Sequence, residues 1–226
     1  MLFRSFEIVT EIASDISDLH ENPRVLATTS VRLRTSYEET IDKIARECLD
    51  GAPAYMCTKG SLVSGSIKEP VQRDFFDCET LLLSNDVPKV TTLIPPTGGI
   101  GTQAIRESYV GLAHTDLNTT LRQVDGFVDA KDYGLTGQLM EGEIGSIGGV
   151  RILLSSRGKI NYDGTYTIFI LGADAYHITR IPVTIFGMKM DPRSLDKYTE
   201  VSYSFMMGAR ITNPLNVIRM LCSRDA

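Results

Sequence analysis

The stretch "GEIGSIGGVRILLSS" (residues 142–156) decides how this chain is read. Gly142, Gly145, Gly148 and Gly149 crowd its first half, and Val150, Ile152, Leu153 and Leu154 make its second half a dense apolar strand. Glycines this close together either cradle a phosphate at a helix start or let one backbone lie tight against another. Here the glycines precede a strand, so there is no helix N-terminus for an anion to sit on. Turns with positive φ and close backbone contact remain, and the glycines are architectural.

A second glycine-rich stretch, "TGGIGTQAIRESYVG", poses the same question more sharply. Gly99-Ile100-Gly101-Thr102-Gln103-Ala104 fits GxGxxA and follows an apolar run, as a dinucleotide-binding turn would. Only Ala104 to Glu107 separate it from the next strand, room for roughly 6 Å of helix. A crossover helix has to return along a strand of roughly 17–20 Å. Pro95 and Pro96 also interrupt the strand that should come before. A surface loop is the expectation, and a nucleotide-binding enzyme using Gly98 to Ala104 is kept as a rival reading.

Other chemistry finds little support. There is no GxSxG elbow, and His20, His114 and His177 lie far apart in different contexts. His114 sits at a strand-to-helix junction, where capping or packing is expected. Glu141 and Glu143 flank Gly142 as an acid/base pair might, but alternate residues on an extended chain are expected to form a solvated edge. Cys48, Cys57, Cys78 and Cys222 show no CxxC spacing; buried structural thiols in a reducing compartment are expected. The expectation is no catalytic residue, no metal and no cofactor.

The chain has 226 residues with 42% hydrophobic and 23% charged residues, long enough to fold without disulfide or metal. Its net charge of −5 argues against a dedicated nucleic-acid binder, which needs a basic excess, yet permits a protein that encloses nucleic acid without gripping it. "MLFRSFEIVTEI" carries acidic residues within its apolar pattern and is not a signal peptide. No run approaches the ~20 apolar residues of a membrane span.

Periodicity supplies the elements. "FRSFEIVTEIASDI" reads as a strand with Phe6, Ile8 and Val9 inward. The spacing of Leu33, Tyr37, Ile41, Ile44, Ala45 and Cys48 predicts a helix over 30–50 capped by Thr29 or Ser30, ~30 Å long. Residues 52–73 read as an irregular connection. "DFFDCETLLLSNDVPK" reads as a helix with Asp74 near its start, "SYVGLAH" as a buried strand, and "TDLNTTLRQV" as a short helix capped by Thr115. "VRILLSS", "TYTIFILGADAYHITRI", "KYTEVSYSFMMGARI" and "NVIRML" read as strands, the third with Val201, Tyr203, Phe205 and Met207 on one face. The class is α+β, with the first and last segments sharing a sheet.

These stretches together resemble the major capsid proteins of tailed bacteriophages, in the N-four-like family. The family's G-E-I-G-x-I-x-G-V-R stretch corresponds to Gly142 through Arg151, and its GxDAY segment to Gly172 through Tyr176. "YEETIDKIARECLDG" is similar to its long helix, "YVGLAHTDLNTTLR" to its strand–helix segment, and "GARITNPLNVIRM" to its closing strands around the Asn213-Pro214 turn. These motifs, in the family's order, span nearly the whole chain.

The resemblance implies the Hong Kong 97-type fold, with a spine helix at 30–50, a peripheral (P) domain over 1–72, an axial (A) domain over 73–190, and return strands to the P domain over 191–226. It implies a structural, non-enzymatic subunit that self-assembles into hexamers and pentamers of an icosahedral virion shell. The shell is put together in the bacterial host cytoplasm around double-stranded DNA, with portal, scaffold or decoration proteins as further partners and no membrane. Family members carry an N-terminal arm and an extended E-loop ahead of the segment where this sequence starts; the expectation is that a second polypeptide, from a split capsid gene, supplies them. An encapsulin-like compartment shell shares the fold and is a further alternative.

Overall fold

The computed structural model describes residues 4–13, 22–57, 67–91, 107–132, 139–190 and 198–224, with side chains outside 4–13, 22–27, 56, 182–190 and 198–201. Among the described residues the elements run β1 (Arg4–Ala13), α1 (Asn22–Leu49), β2 (Ala54–Met56), α2 (Gln72–Ser84), β3 (Tyr109–His114), α3 (Asn118–Arg122), β4 (Phe127–Asp129), β5 (Glu143–Ile147), β6 (Val150–Ser155), β7 (Lys159–Ile160), β8 (Tyr166–Leu171), β9 (Tyr176–Met190), β10 (Tyr198–Ile211) and β11 (Val217–Cys222). The class is α+β, as expected. The chain divides into two compact units, one of Met1–Cys48 with His177–Arg210 and one of Leu49–Tyr176 with Ile211–Ala226.

In the first unit, β10 is the middle strand of the sheet β1-β10-β9. β1 pairs with it antiparallel from Arg4↔Met207 to Ala13↔Tyr198, so an early and a late segment do share a sheet. The inward set of β10 follows from its alternation: Tyr203, Phe205 and Met207 are buried while Met206 between them is exposed. Leu33, Tyr37, Ile41 and Ile44 of α1 pack on that face. The Tyr37 ring stands edge-on to Phe205 with centroids 4.8 Å apart and to Tyr203 at 5.7 Å, the arrangement that aromatic quadrupoles favour. The expected inward placement of Phe6, Ile8, Val9 and Val201 falls outside the described side chains.

The helix α1 begins eight residues earlier than its apolar spacing suggests, at Asn22 rather than at residue 30. Pro23 explains the difference: in a first turn its missing N–H has no partner to lose, and its fixed φ suits the helix. Thr29 and Ser30 are therefore interior residues, not caps. The 28 residues reach ~42 Å.

The second unit is built on an eight-stranded mixed sheet in the order β2-β11-β8-β3-β6-β5-β4, with β7 pairing to β8. Both faces are covered, which is why "YTIFIL" in β8 is apolar on both sides of its alternation. Ile168 and Ile170 enter the larger core with Phe75, Cys78 and Leu82 of α2 and Leu121 of α3. Phe169 and Leu171 enter a second core with Leu49, Ala52 and Val217. The segment expected to be irregular contains β2, whose residues pair in parallel with Arg219, Met220 and Leu221 of β11; three residues are too few to show a period.

Asp74 explains how α2 starts. Its carboxylate accepts the Val71 N–H at 2.9 Å and the Tyr55 hydroxyl at 3.2 Å, satisfying a helix-end donor that has no backbone partner. The same carboxylate lies among Cys57, Cys78 and Cys222, all buried and free. Burial, reinforced by Asp74, pushes the Cys78 and Cys222 thiols up to about 12 and raises Cys57 as well. A thiolate is the reactive form. We therefore expect the folded chain at pH 8 to react rapidly with an aromatic disulfide reagent only at the partly exposed Cys48, with the other thiols appearing on denaturation. Rapid native labelling of Cys57, Cys78 or Cys222 would contradict this packing.

The compact units break after Cys48, Tyr176 and Arg210, a different partition from the boundaries at 72 and 190 suggested by the resemblance. Of the closing strands, β10 lies in the first unit's sheet, whereas β11 joins β2 and β8 in the second.

Candidate functional site

The glycine stretch is a β-hairpin. Gly148 and Gly149 form a two-residue turn between β5 and β6, closed by the Ile147↔Val150 pair. Gly148 has φ +57°, a conformation costly for a residue with a Cβ, and a Cβ there would stand 2.7 Å from Cε1 of Phe76. The Gly149 N–H donates to Glu79 Oε2 at 3.1 Å, which ties the turn to α2. Gly145 is demanded by close approach. It pairs with Asp129 of β4, and a Cβ would overlap the Val128 carbonyl oxygen and lie 2.5 Å from Cζ of Phe127.

Between Glu143 and Gly145 the ladder slips by one residue, so that Gly145 opposes Ile152 but Glu143 opposes Leu153. This bulge at Ile144 has a consequence for charge. Unbulged pairing would put Glu143 opposite Leu154, on the sheet face away from Arg151; the extra residue returns it to Arg151's face as a diagonal neighbour. Arg151 donates from Nε to Glu143 Oε1 at 2.7 Å and from Nη2 to Oε2 at 2.5 Å. The side chains are 3% and 0% exposed. The Met140 N–H also donates to Oε2, at 3.0 Å. The carboxylate expected on a solvated edge is thus a buried, bidentate ion-pair partner. Gly-Gly between Ile147 and Val150 signals the two-residue hairpin turn, but the face on which Glu143 lands is set by the bulge.

The remaining motif residues also serve backbone locks. Asn216 donates from Nδ2 to the Ala173 carbonyl at 2.7 Å, and its own carbonyl accepts the Gly172 N–H at 2.8 Å. The "GADAY" turn is thereby fastened to the turn after Asn213, whose side-chain oxygen accepts the Leu215 N–H at 3.1 Å. His114, not Thr115, caps the short 3-10 turn at Thr115–Leu117: its Nδ1 accepts the Asp116 N–H at 3.1 Å. Tyr166 donates its hydroxyl to Asp116 Oδ2 at 3.0 Å. Lys159 pairs with Asp50, and Arg219 donates to the Asp50 carbonyl at 3.0 Å.

Both oxygens of Glu143 are held by the Arg151 fork, and Glu141 is exposed beside it. Among the described residues no group of three or more His, Cys, Asp or Glu side chains comes together to hold a metal. The GxGxxA stretch from Gly99 to Ala104 and His20 lie outside the described residues.

No protein-family model and no curated protein matches the chain. Solved structures do. The capsid of Ralstonia phage GP4 superposes with a TM-score of 0.68 at 12% identity, over 100% of this chain and 74% of that one. The head structure of Helicobacter pylori bacteriophage KHP40 matches with 0.64 at 12% identity, over 99% and 74%. The holo-SrpI encapsulin complex from Synechococcus elongatus PCC 7942 matches with 0.62 at 13% identity, over 97% and 73%. The chain has the Hong Kong 97-type capsid fold. Its spine helix is α1, and the glycine hairpin with its Glu143–Arg151 pair belongs to the eight-stranded sheet. In this Hong Kong 97-type chain the sequence motifs mark turns, a bulge and a buried ion pair.

Proposed function

We propose that the chain is a major capsid protein, a structural subunit that tiles into the icosahedral shell of a tailed bacteriophage around double-stranded DNA. The observation that carries this reading is the superposition on a phage capsid subunit along the full length of the chain, at a TM-score of 0.68. The −5 charge fits a wall that confines DNA by geometry, since a strongly basic lining would bind the phosphate backbone and hinder packaging and release. Shell subunits act through contact area: obligate interfaces bury more than ~2,000 Å², repeated around closed rings. On this reading no residue is catalytic. The three-stranded sheet with α1 serves as the peripheral domain and the eight-stranded sheet as the axial domain. Hexamers and pentamers form in the bacterial cytoplasm and end in the virion, with portal, scaffold or decoration proteins beside them.

The encapsulin match at a TM-score of 0.62 favours a second reading, a compartment shell around cargo enzymes. Nuclease protection separates the two. Particles purified from the source should hold double-stranded DNA that resists added nuclease; particles filled with an enzyme and free of DNA would reverse the choice. Stabilisation of the chain by nucleotides in a thermal-shift screen would instead favour the enzyme reading based on Gly98 to Ala104.

A further inference from the structure

β2 and β11 run parallel, with Ala54, Tyr55 and Met56 opposite Arg219, Met220 and Leu221. The next step of that register sets Cys57 beside Cys222. Backbone contacts hold it there. The Cys57 N–H donates to the Leu221 carbonyl at 3.0 Å. Lys68 bridges the two strand ends: its N–H donates to the Cys57 carbonyl at 2.8 Å, and its carbonyl accepts the Ser223 N–H at 3.0 Å. Residues opposite each other in a ladder point to the same face, and both thiols enter the larger core with no exposed surface.

That placement suits a covalent bond. Paired strands stand roughly 4.8 Å apart, inside the span of roughly 4.4–6.8 Å between Cα atoms that a disulfide bridges. Cys78 shares the same core but belongs to α2, and packed layers stand roughly 10 Å apart, beyond that span. Cys48 belongs to the other compact unit. Sequence spacing hides the pair, because most of the chain separates 57 from 222 and only the parallel ladder brings them together.

We propose that Cys57 and Cys222 are a latent disulfide, closed by an external disulfide oxidant such as oxidised glutathione, that ties the last strand of the second unit to its edge strand. The Cys57 thiolate attacks one sulfur of the oxidant and expels a thiolate; the Cys222 thiolate then attacks Cys57 Sγ and expels the second. Two protein thiols are oxidised, the oxidant is reduced to two thiols, and the two protein protons end on them.

Packing sets the timing. Burial holds the Cys222 thiol up at about 12 and raises Cys57 as well, so the packed pair exchanges slowly. β2 is a three-residue strand at the end of its sheet, where ladders open locally at small cost, and its opening gives the oxidant access. In a reducing compartment the thiols stay free; in oxidising surroundings the bond forms and, reburied, resists reduction. In a particle that leaves the cell the tie therefore follows release. That consequence rests on the shell reading, whereas the disulfide does not.

The test uses the purified full chain. Its partly exposed Cys48 is blocked with N-ethylmaleimide, and the folded protein is incubated for days with oxidised glutathione or, in parallel, with dithiothreitol. The oxidised chain should lose the mass of two hydrogens and give a non-reducing peptide map that joins Cys57 to Cys222. It should melt roughly 5 °C or more above the reduced chain, because closing so long a loop constrains the unfolded state. Cys57 and Cys222 still free, a glutathione adduct left on either, or a bond to Cys78 would overturn the pairing. A Cys57–Cys222 bond that leaves the melting temperature unchanged or lowers it would overturn the tie.

Discussion

Replacing Arg151 with methionine will destabilise the chain by about 3–5 kcal/mol, the usual cost of removing one partner from a buried ion pair. The size follows from what stays behind. Glu143 has no exposed side-chain surface and among the described residues would keep only the Met140 N–H at 3.0 Å as compensation for a desolvated carboxylate. Glu143→Gln should cost less, because the amide oxygen still accepts one guanidinium N–H. A double substitution of Glu143→Leu with Arg151→Met should recover much of the loss, since a well-packed apolar pair is often no worse than the ion pair it replaces. Chemical denaturation of the four chains reads this directly. If Arg151→Met shifted stability by less than ~1 kcal/mol, as an exposed pair would, the burial described for the hairpin would be wrong.

The second large effect is expected at Gly145. A valine there must place its Cβ into the Val128 carbonyl oxygen and the Phe127 ring, both on the neighbouring strand, so relief requires β4 to leave the sheet edge. Overpacking of this kind costs ~1–3 kcal/mol and more where backbone must move, and each 1.4 kcal/mol is a factor of about ten in a folding equilibrium. Particle yield should fall at least tenfold. Gly148→Ala should act more mildly, through positive φ and a contact that the Phe76 ring can relieve by turning. Normal assembly with Gly145→Val would contradict the β4–β5 register. The order of severity, Gly145 before Gly148, separates a packing explanation from one based on turn flexibility alone.

Much of the fold was written in periodicity. The two-residue alternation of "SYSFM" announced the buried face of β10, and the three- and four-residue steps from Leu33 to Ile44 announced the packed face of α1. Elements without an apolar period are not legible in this way. The first turns of α1 are visible only through Pro23, β2 is too short to alternate, and β5, with Gly145 at its centre, has no clean alternation, so that its strand character rests on pairing with β4 and β6. Burial of Glu143 was illegible for a different reason: the bulge at Ile144 moves the residue to the other face, and a bulge is a property of two strands. His114 was readable as a junction residue, though which neighbour capped the turn depended on side-chain geometry. The architectural reading of Gly145 and Gly148 needed only the absence of a following helix, and both positions are crowded in the folded chain.

The shell function we propose requires that this chain tile into a closed container. Electron cryomicroscopy of the chain expressed with its neighbouring gene products tests it most directly. Closed icosahedral particles are predicted, with α1 and the eight-stranded sheet resolved in every subunit of the wall. A homogeneous monomer under the same conditions, converting a small molecule, would contradict the account.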